Sequence, residues 1–257
     1  MSHPRDRFLT IYGRKPVLEV LEDQALPIER VLVAHGADGP VIAAILQAAR
    51  ARRVTVQRVT PAEVTRLSRN GRQDQGAVAD VRAPRMAALE TALEGDLGLA
   101  PTAHLFLLDG LTTPGNIGLI LRTATAAGCE GIILPRKGSP EVGPLVIKAS
   151  AGVAFKAPIL RTATALEAAN LLKSNGFLLF GLQADGTDLY ALELPPRVVF
   201  VLGNETTGIS PEVAACLDGT VAIPMAGGVE SLNVAVAAAV VAYELTRRRR
   251  ASRAAVS

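Results

Sequence analysis

Apolar and polar positions alternate along this chain with two different periods. In the first third, RVLVA (30–34), RVTVQRV (53–59) and GAVADVR (76–82) have the β-branched, two-residue alternation of strands. Between them, PVIAAILQAARA (40–51) and PAEVTRLSR (61–69) space their apolar residues at three and four. Each opens on proline, whose missing N–H costs nothing in the first turn of a helix. This pattern predicts a small α/β domain over residues 1–83. The stretch 84–103, an Ala/Leu/Glu segment between prolines, predicts a partly helical linker.

From residue 104 the strands change character. HLFLLDG (104–110), GIILP (131–135), APIL (157–160), GFLLFGLQA (176–184), RVVFVLG (197–203) and TVAIPM (220–225) are almost continuously apolar. Helical segments such as IGLILRTATAAG (117–128) and TALEAANLLKSNG (164–176) lie between them. Strands apolar on both faces predict a mostly parallel sheet covered by helices on both sides, an α/β domain over 104–250. The segment RRRRASRAAVS carries too few apolar residues to pack, so 251–257 is expected to be a disordered basic tail.

Composition narrows the function classes. At 257 residues and 49% hydrophobic, the chain can bury two ordinary cores. Two distant cysteines and three histidines argue against a disulfide framework or a metal site. MSHPRDRFLTIYG lacks a signal-peptide core, and the longest apolar run, VAVAAAVVA (234–242), is too short to span a membrane. A cytoplasmic protein without membrane association is the expectation. Charge is uneven. Residues 1–83 carry 13 Lys and Arg against 9 Asp and Glu, residues 84–245 carry 9 against 15, and 246–257 carry five Arg and no acid. Basic ends around an acidic middle suit a polyanionic partner, although solvated surface charge gives the same count.

Several chemistries are absent from the sequence. No G-x-G occurs, nor a phosphate loop of the GxxxxGK type, an HExxH metal box or a G-x-S-x-G nucleophile elbow. What remains is a set of polar residues in Gly-bearing loops at the expected C-terminal ends of strands, where parallel sheets bind ligands. Asn116 opens a helix and Arg122 follows within an apolar sequence, where a guanidinium needs an acidic or phosphate partner. Glu205 stands just beyond a buried strand. Ser231 is placed as the N-cap of the last helix, with Asn233 in its first turn. Singly, each of these also reads as ordinary turn or cap chemistry.

Taken in order, LDGLTTPGNIGLILRTATAAG, FVLGNETTGIS and IPMAGGVESLNVAVAAAVVAYE resemble the three motifs of the SpoU–TrmH RNA 2′-O-ribose methyltransferases, over about residues 104–245. Thr113 and Ala235 depart from the usual motif residues, Asp and Ser or Thr. The resemblance implies a deep trefoil knot, bound S-adenosylmethionine and a homodimer joined through the C-terminal helix. It assigns catalytic roles to Asn116, Arg122, Glu205, Ser231 and Asn233, and places Gly203, Ile223, Met225 and Leu232 at the cofactor. Gly203 is expected to let the chain approach that cofactor, and Glu205 to orient Arg122 or the substrate ribose. IYGRKPVLEVLE (11–22) and RQDQGAVADV (72–81) are similar to the ribosomal-protein-like domain of bacterial rRNA guanosine 2′-O-methyltransferases. Arg50, Arg52, Arg53, Arg66, Arg69 and Arg72, with Arg58, are then the candidate contacts to structured RNA, rRNA before tRNA. The rivals are a tRNA enzyme of the same family, a non-catalytic RNA scaffold and a small-molecule enzyme on a doubly wound sheet.

Overall fold

The computed structural model describes residues 8–94 and 99–254. The first sheet is built from β1 (Phe8–Tyr12), β2 (Ile28–Ala34), β3 (Val56–Val59) and β4 (Ala77–Arg82), in the order β1-β4-β2-β3. Helices α1 (Arg14–Glu22), α2 (Pro40–Ala51) and α3 (Pro61–Ser68) connect its strands. Thr60 caps α3 by accepting the Glu63 N–H. The expected strand at 53–59 begins three residues late. Arg53 sits at a φ of 57°, in the left-handed region, so the chain is still turning out of α2 there.

The remaining strands form one seven-stranded sheet. They are β5 (Ala87–Ala88), β6 (Ala103–Leu108), β7 (Gly131–Pro135), β8 (Ile159–Thr162), β9 (Leu178–Asp188), β10 (Arg197–Leu202) and β11 (Gly219–Ala222). Their order is β11-β9-β10-β6-β7-β8-β5, and every pairing is parallel. The connecting helices are α4 (Leu89–Glu94), α5 (Pro114–Ala126), α6 (Pro144–Ala149), α7 (Ala165–Ser174), α8 (Pro211–Ala214) and the terminal α9 (Val234–Ala254). The central strands are apolar on both sides because both sides are covered. Phe106, Leu108 and Phe200 pack under α5 and α9, whereas Leu105, Leu107, Val199 and Val201 pack under α7. The stretch expected as a linker is partly absorbed: β5 pairs with β8 at the sheet edge, and Leu89 and Ala92 of α4 are buried in the second cluster. Among the described residues no helix is long and apolar enough to cross a membrane.

Residues 251–254, expected in a loose tail, continue α9 instead; residues 255–257 lie outside the described residues. Long-range pairing of the arginines accounts for the difference. Glu244 is buried and accepts from Arg247 and Arg248, three and four residues on. Arg248 also donates to the carbonyls of Leu189, Tyr190 and Leu192. Arg249 donates to the Ala127 and Gly128 carbonyls at the end of α5 and pairs with Glu130 at 2.6 Å. These α5 carbonyls have no acceptor role inside their own helix, so a cation there satisfies orphan groups. The arginine cluster is a clamp on the fold.

The guanidiniums of Arg247 and Arg248 hold the Glu244 carboxyl at a pKa of about 2, against 4.5 for the free side chain. A carboxyl depressed by folding stabilises above its unfolded pKa and loses that contribution as pH falls toward the folded one. Glu244→Gln is therefore expected to melt lower than wild type at pH 7, with the gap closing as pH is lowered from about 4.5 toward 2. Thermal denaturation at a series of pH values measures this; a gap independent of pH would remove Glu244 from the account.

Candidate active site

Strands β6 and β10 are neighbours in the sheet, so the loops leaving their C-terminal ends lie side by side. Two side chains fasten these loops together. Asp109, buried just past β6, accepts the Ser210 N–H at 2.7 Å. Asn204 donates to the Gly110 carbonyl at 2.7 Å, while its oxygen accepts the N–H groups of Thr206 and Thr207. That Asx turn bends 204–208 into a closed loop, sealed by reciprocal backbone bonds between Asn204 and Gly208.

Gly203 is what permits the closure. A Cβ built there would stand 2.4 Å from the Gly208 carbonyl carbon and the Ile209 nitrogen. Its space is filled by its own loop, so close packing of backbone on backbone, rather than the approach of a ligand, requires glycine at this position. Gly208 supplies the complementary need, a φ of +72° with open space around it.

The closed loop presents Glu205 to α5. Asn116 donates its amide to Glu205 Oε1 at 2.6 Å, and its oxygen accepts from Asn233 Nδ2 at 3.1 Å. The Asn233 oxygen accepts the Ala235 N–H at 2.9 Å and the Val236 N–H at 3.3 Å. Asn233 is thus the cap of α9, and Ser231, expected in that role, lies exposed in the preceding loop. Each amide orientation in the relay is dictated by its neighbour. Asn233 must turn oxygen to the helix N–H groups, which leaves its nitrogen for Asn116 and the Asn116 nitrogen for the carboxylate. Residues 89 and 117 positions apart in the chain are joined in one directional relay.

Arg122 is not part of it. It is exposed on α5 and makes no hydrogen bond or ion pair among the described residues, so Glu205 does not orient it. The expected cofactor residues divide. Ile223, Met225 and Leu232, with Ser231, line one pocket against the middle of β9 and the end of β11, together with Leu182 and Val221. Gly203 does not line that pocket.

The arginines of the first domain also divide. Arg52 donates to the carbonyls of Val20, Leu21, Asp23 and Leu26, closing the end of α1, and Arg58 donates to the carbonyls of Ala34 and Ala37. Both are engaged by backbone. Arg69 pairs with Glu141 of the second domain at 3.1 Å. Arg66 has only an exposed Glu63 at 3.5 Å, a pairing worth little. Arg50, Arg53 and Arg72 are exposed and have no such partners among the described residues. Sequence reasoning did not single out Asp109, Asn204 or Glu141. The first two carried the signal used for Glu205, a polar residue immediately beyond a buried strand.

Residues 103–243 match the SpoU rRNA methylase family, and residues 10–87 match the RNA 2′-O ribose methyltransferase substrate-binding family. The chain belongs to the SpoU methylase family. It is 34% identical over 241 residues to the 23S rRNA (guanosine-2′-O-)-methyltransferase RlmB of Xanthomonas axonopodis pv. citri, covering 93% of this chain and 96% of the relative. The SpoU methyltransferase AviRb of Streptomyces viridochromogenes, solved with AdoMet, superposes with a TM-score of 0.65 at 25% identity, over 95% of this chain and 91% of that one. A structure on 2-OH methylation of C/U34 in tRNA aligns at 29% identity and a TM-score of 0.51, over 59% of this chain and 99% of its own.

The loop closure can be tested directly. Gly203→Ala forces a Cβ into backbone and is expected to cost about 1–3 kcal/mol, the scale of an overpacked site, or to prevent folding. Gly208→Ala, strained only by its φ, should cost about 1 kcal/mol. Chemical denaturation of both variants reads the order; equal costs would mean that the loop is not closed against Gly203.

Proposed function

We propose that this SpoU-family methyltransferase transfers a methyl group from S-adenosylmethionine to the ribose 2′-hydroxyl of a guanosine in 23S rRNA, in the cytoplasm and as a homodimer. The observation that carries the reading is the relay from Asn233 through Asn116 to Glu205, which draws all three motif segments to one place. A scaffold protein would have no use for it. Support for rRNA over tRNA comes from the first domain: the rRNA-named relative spans both domains, whereas the tRNA structure aligns over too small a share of the chain to include both. The trefoil threading of residues 203–233 is part of the same proposal and is supported by family membership and by the order of β9, β10 and β11.

The residues present fit the cofactor. Leu182, Val221, Ile223, Met225 and Leu232 offer apolar walls for an adenine and the methylenes of a methionine chain, with the Ser231 hydroxyl among them. S-adenosylmethionine, when bound, supplies an electrophilic methyl group on a sulfonium.

The chain's own residues position the oxygen that receives it. Asn116 holds one Glu205 oxygen, and the other makes no hydrogen bond among the described residues, so it can accept the ribose hydroxyl. The capped N-terminus of α9 adds its positive dipole end behind Asn233. Arg122, exposed and uncommitted, suits stabilisation of the developing 2′-oxyanion or an adjacent phosphate. Guanidinium groups remain protonated across the physiological range, so a donor role fits their chemistry better than a general base. Leu119 on α5 and Val236 and Tyr243 on α9 are 44%, 49% and 54% exposed. Covering these residues with a second subunit would bring Arg122, one turn beyond Leu119, to the partner's site.

Methyl transfer from labelled S-adenosylmethionine to 23S rRNA transcripts, with the modified position mapped, tests the activity. Arg122→Lys is expected to keep RNA binding and to lose most turnover, because an ammonium does not reproduce the planar fork of donors. Turnover near wild type would remove Arg122 from the chemistry. Sedimentation should give a dimer at micromolar concentration, and a monomer there would separate Arg122 from any partner site.

A further inference from the structure

The first sheet meets the second across a cavity of about 270 Å³. Tyr12, Arg69 and Asn70 line it from one side, and Pro114, Leu145 and Arg161 from the other. Pro114 is the first residue of α5, two before Asn116, so the cavity adjoins the turn that carries the relay.

The chemistry of the wall is unbalanced. Arg161 is only 4% exposed; its Nη2 donates to Glu141 at 3.2 Å, and its Nη1 has no hydrogen-bond partner among the described residues. Burial pulls its pKa down to about 10. The same Glu141 is shared with Arg69 at 3.1 Å. Two guanidiniums therefore divide one carboxylate, and that carboxylate is 49% exposed at its side chain. A buried guanidinium with idle donors is costly until another acceptor arrives. Tetrahedral phosphate, with several acceptor oxygens, matches a pair of arginines. Beside them stand an aromatic face at Tyr12, whose hydroxyl accepts from Asn70, and the largely exposed Leu145. Such surfaces take the face of a base.

We infer that this cavity is a second nucleotide site, which holds the base and phosphate of an RNA nucleotide flanking the methylated one. The inference rests on the methyltransferase reading above. Glu141 is the placeholder: the incoming phosphate takes both guanidiniums, and the half-exposed carboxylate swings into solvent. A free mononucleotide has the same chemistry, but the position beside Pro114 favours a nucleotide in the chain that delivers the target ribose.

Steady-state methylation of a 23S rRNA fragment tests it. Leu145→Trp fills the mouth from an exposed position and is expected to raise KM for RNA about tenfold, the scale of one lost base stack, with kcat and S-adenosylmethionine affinity unchanged. Leu166→Trp, on α7 away from both domains' seam, should change nothing. Glu141→Gln separates a placeholder from a structural latch: removing its charge is expected to lower KM for RNA, whereas loss of a latch between the domains would raise it. Guanosine 5′-monophosphate at millimolar concentration should compete with RNA in wild type and not in Leu145→Trp. An unchanged KM in Leu145→Trp overturns the inference, including the case in which calorimetry shows guanosine 5′-monophosphate bound tightly, which would make this a free-nucleotide site. Should wild type transfer no methyl to RNA, the proposed function fails by itself. Fluorescence anisotropy of the RNA fragment still tests the cavity, through weaker binding to Leu145→Trp.

Discussion

The candidate site depends on one steric constraint: backbone packed on backbone at Gly203. With Gly208 and Ile209 standing where any side chain would be, the loop after β10 closes on itself within six residues. That closure fixes the direction in which Glu205 leaves the sheet. Asn204 and Asp109 then lock the closed loop to the end of β6 through the Gly110 carbonyl and the Ser210 N–H. A carboxylate on a free loop would sample many positions and lose rotamer entropy on each engagement. Here the backbone has borne that cost in folding, and Asn116 has only to meet a carboxylate already aimed at it.

The relay carries the same logic into the last helix. Because Asn233 spends its oxygen on the N–H groups of Ala235 and Val236, the start of α9 and the position of Asn116 are one structural decision. At the far end of α9, Arg248 and Arg249 bind the loop at 189–192 and the end of α5. Helix α5 is thus held by α9 at both ends, through Asn116 near its start and Ala127 just past its finish. The helix presenting Arg122 and Leu119 to solvent is rigidly mounted, as the role proposed for Arg122 would require.

What was legible in the sequence and what was not divide along the range of the interactions. The bounds of α2 and β7 follow from proline, periodicity and apolar runs, all local signals, and the structure has them where those signals put them. The parallel sheet was equally legible, since doubly covered strands must be apolar throughout. The start of β3 and the length of α9 were not: the first follows from the left-handed turn at Arg53, and the second goes with the carbonyls of the α5 end and the 189–192 loop that the terminal arginines reach. The cap of α9 illustrates the limit well. Ser231 and Asn233 are both capping residues two positions apart, and only the location of Asn116, remote in the chain, selects between them.

Charge counting gives a real signal with a mixed source. The excess of arginine in the first domain and the tail suggested a grip on a polyanion, yet Arg52, Arg58, Arg248 and Arg249 are spent on the protein's own carbonyls. Guanidinium serves both purposes for one reason: a planar fork of donors satisfies converging carbonyls as well as it satisfies phosphate. Net charge therefore cannot distinguish them, whereas the balance of partners can. Arg52 has four carbonyl acceptors, while Arg161 is buried in the sheet and shares a single carboxylate with Arg69. An arginine supplied with acceptors by its own fold is architecture. One left short of them beside a cavity, within two residues' reach of the relay's helix turn, is where an outside anion has most to offer.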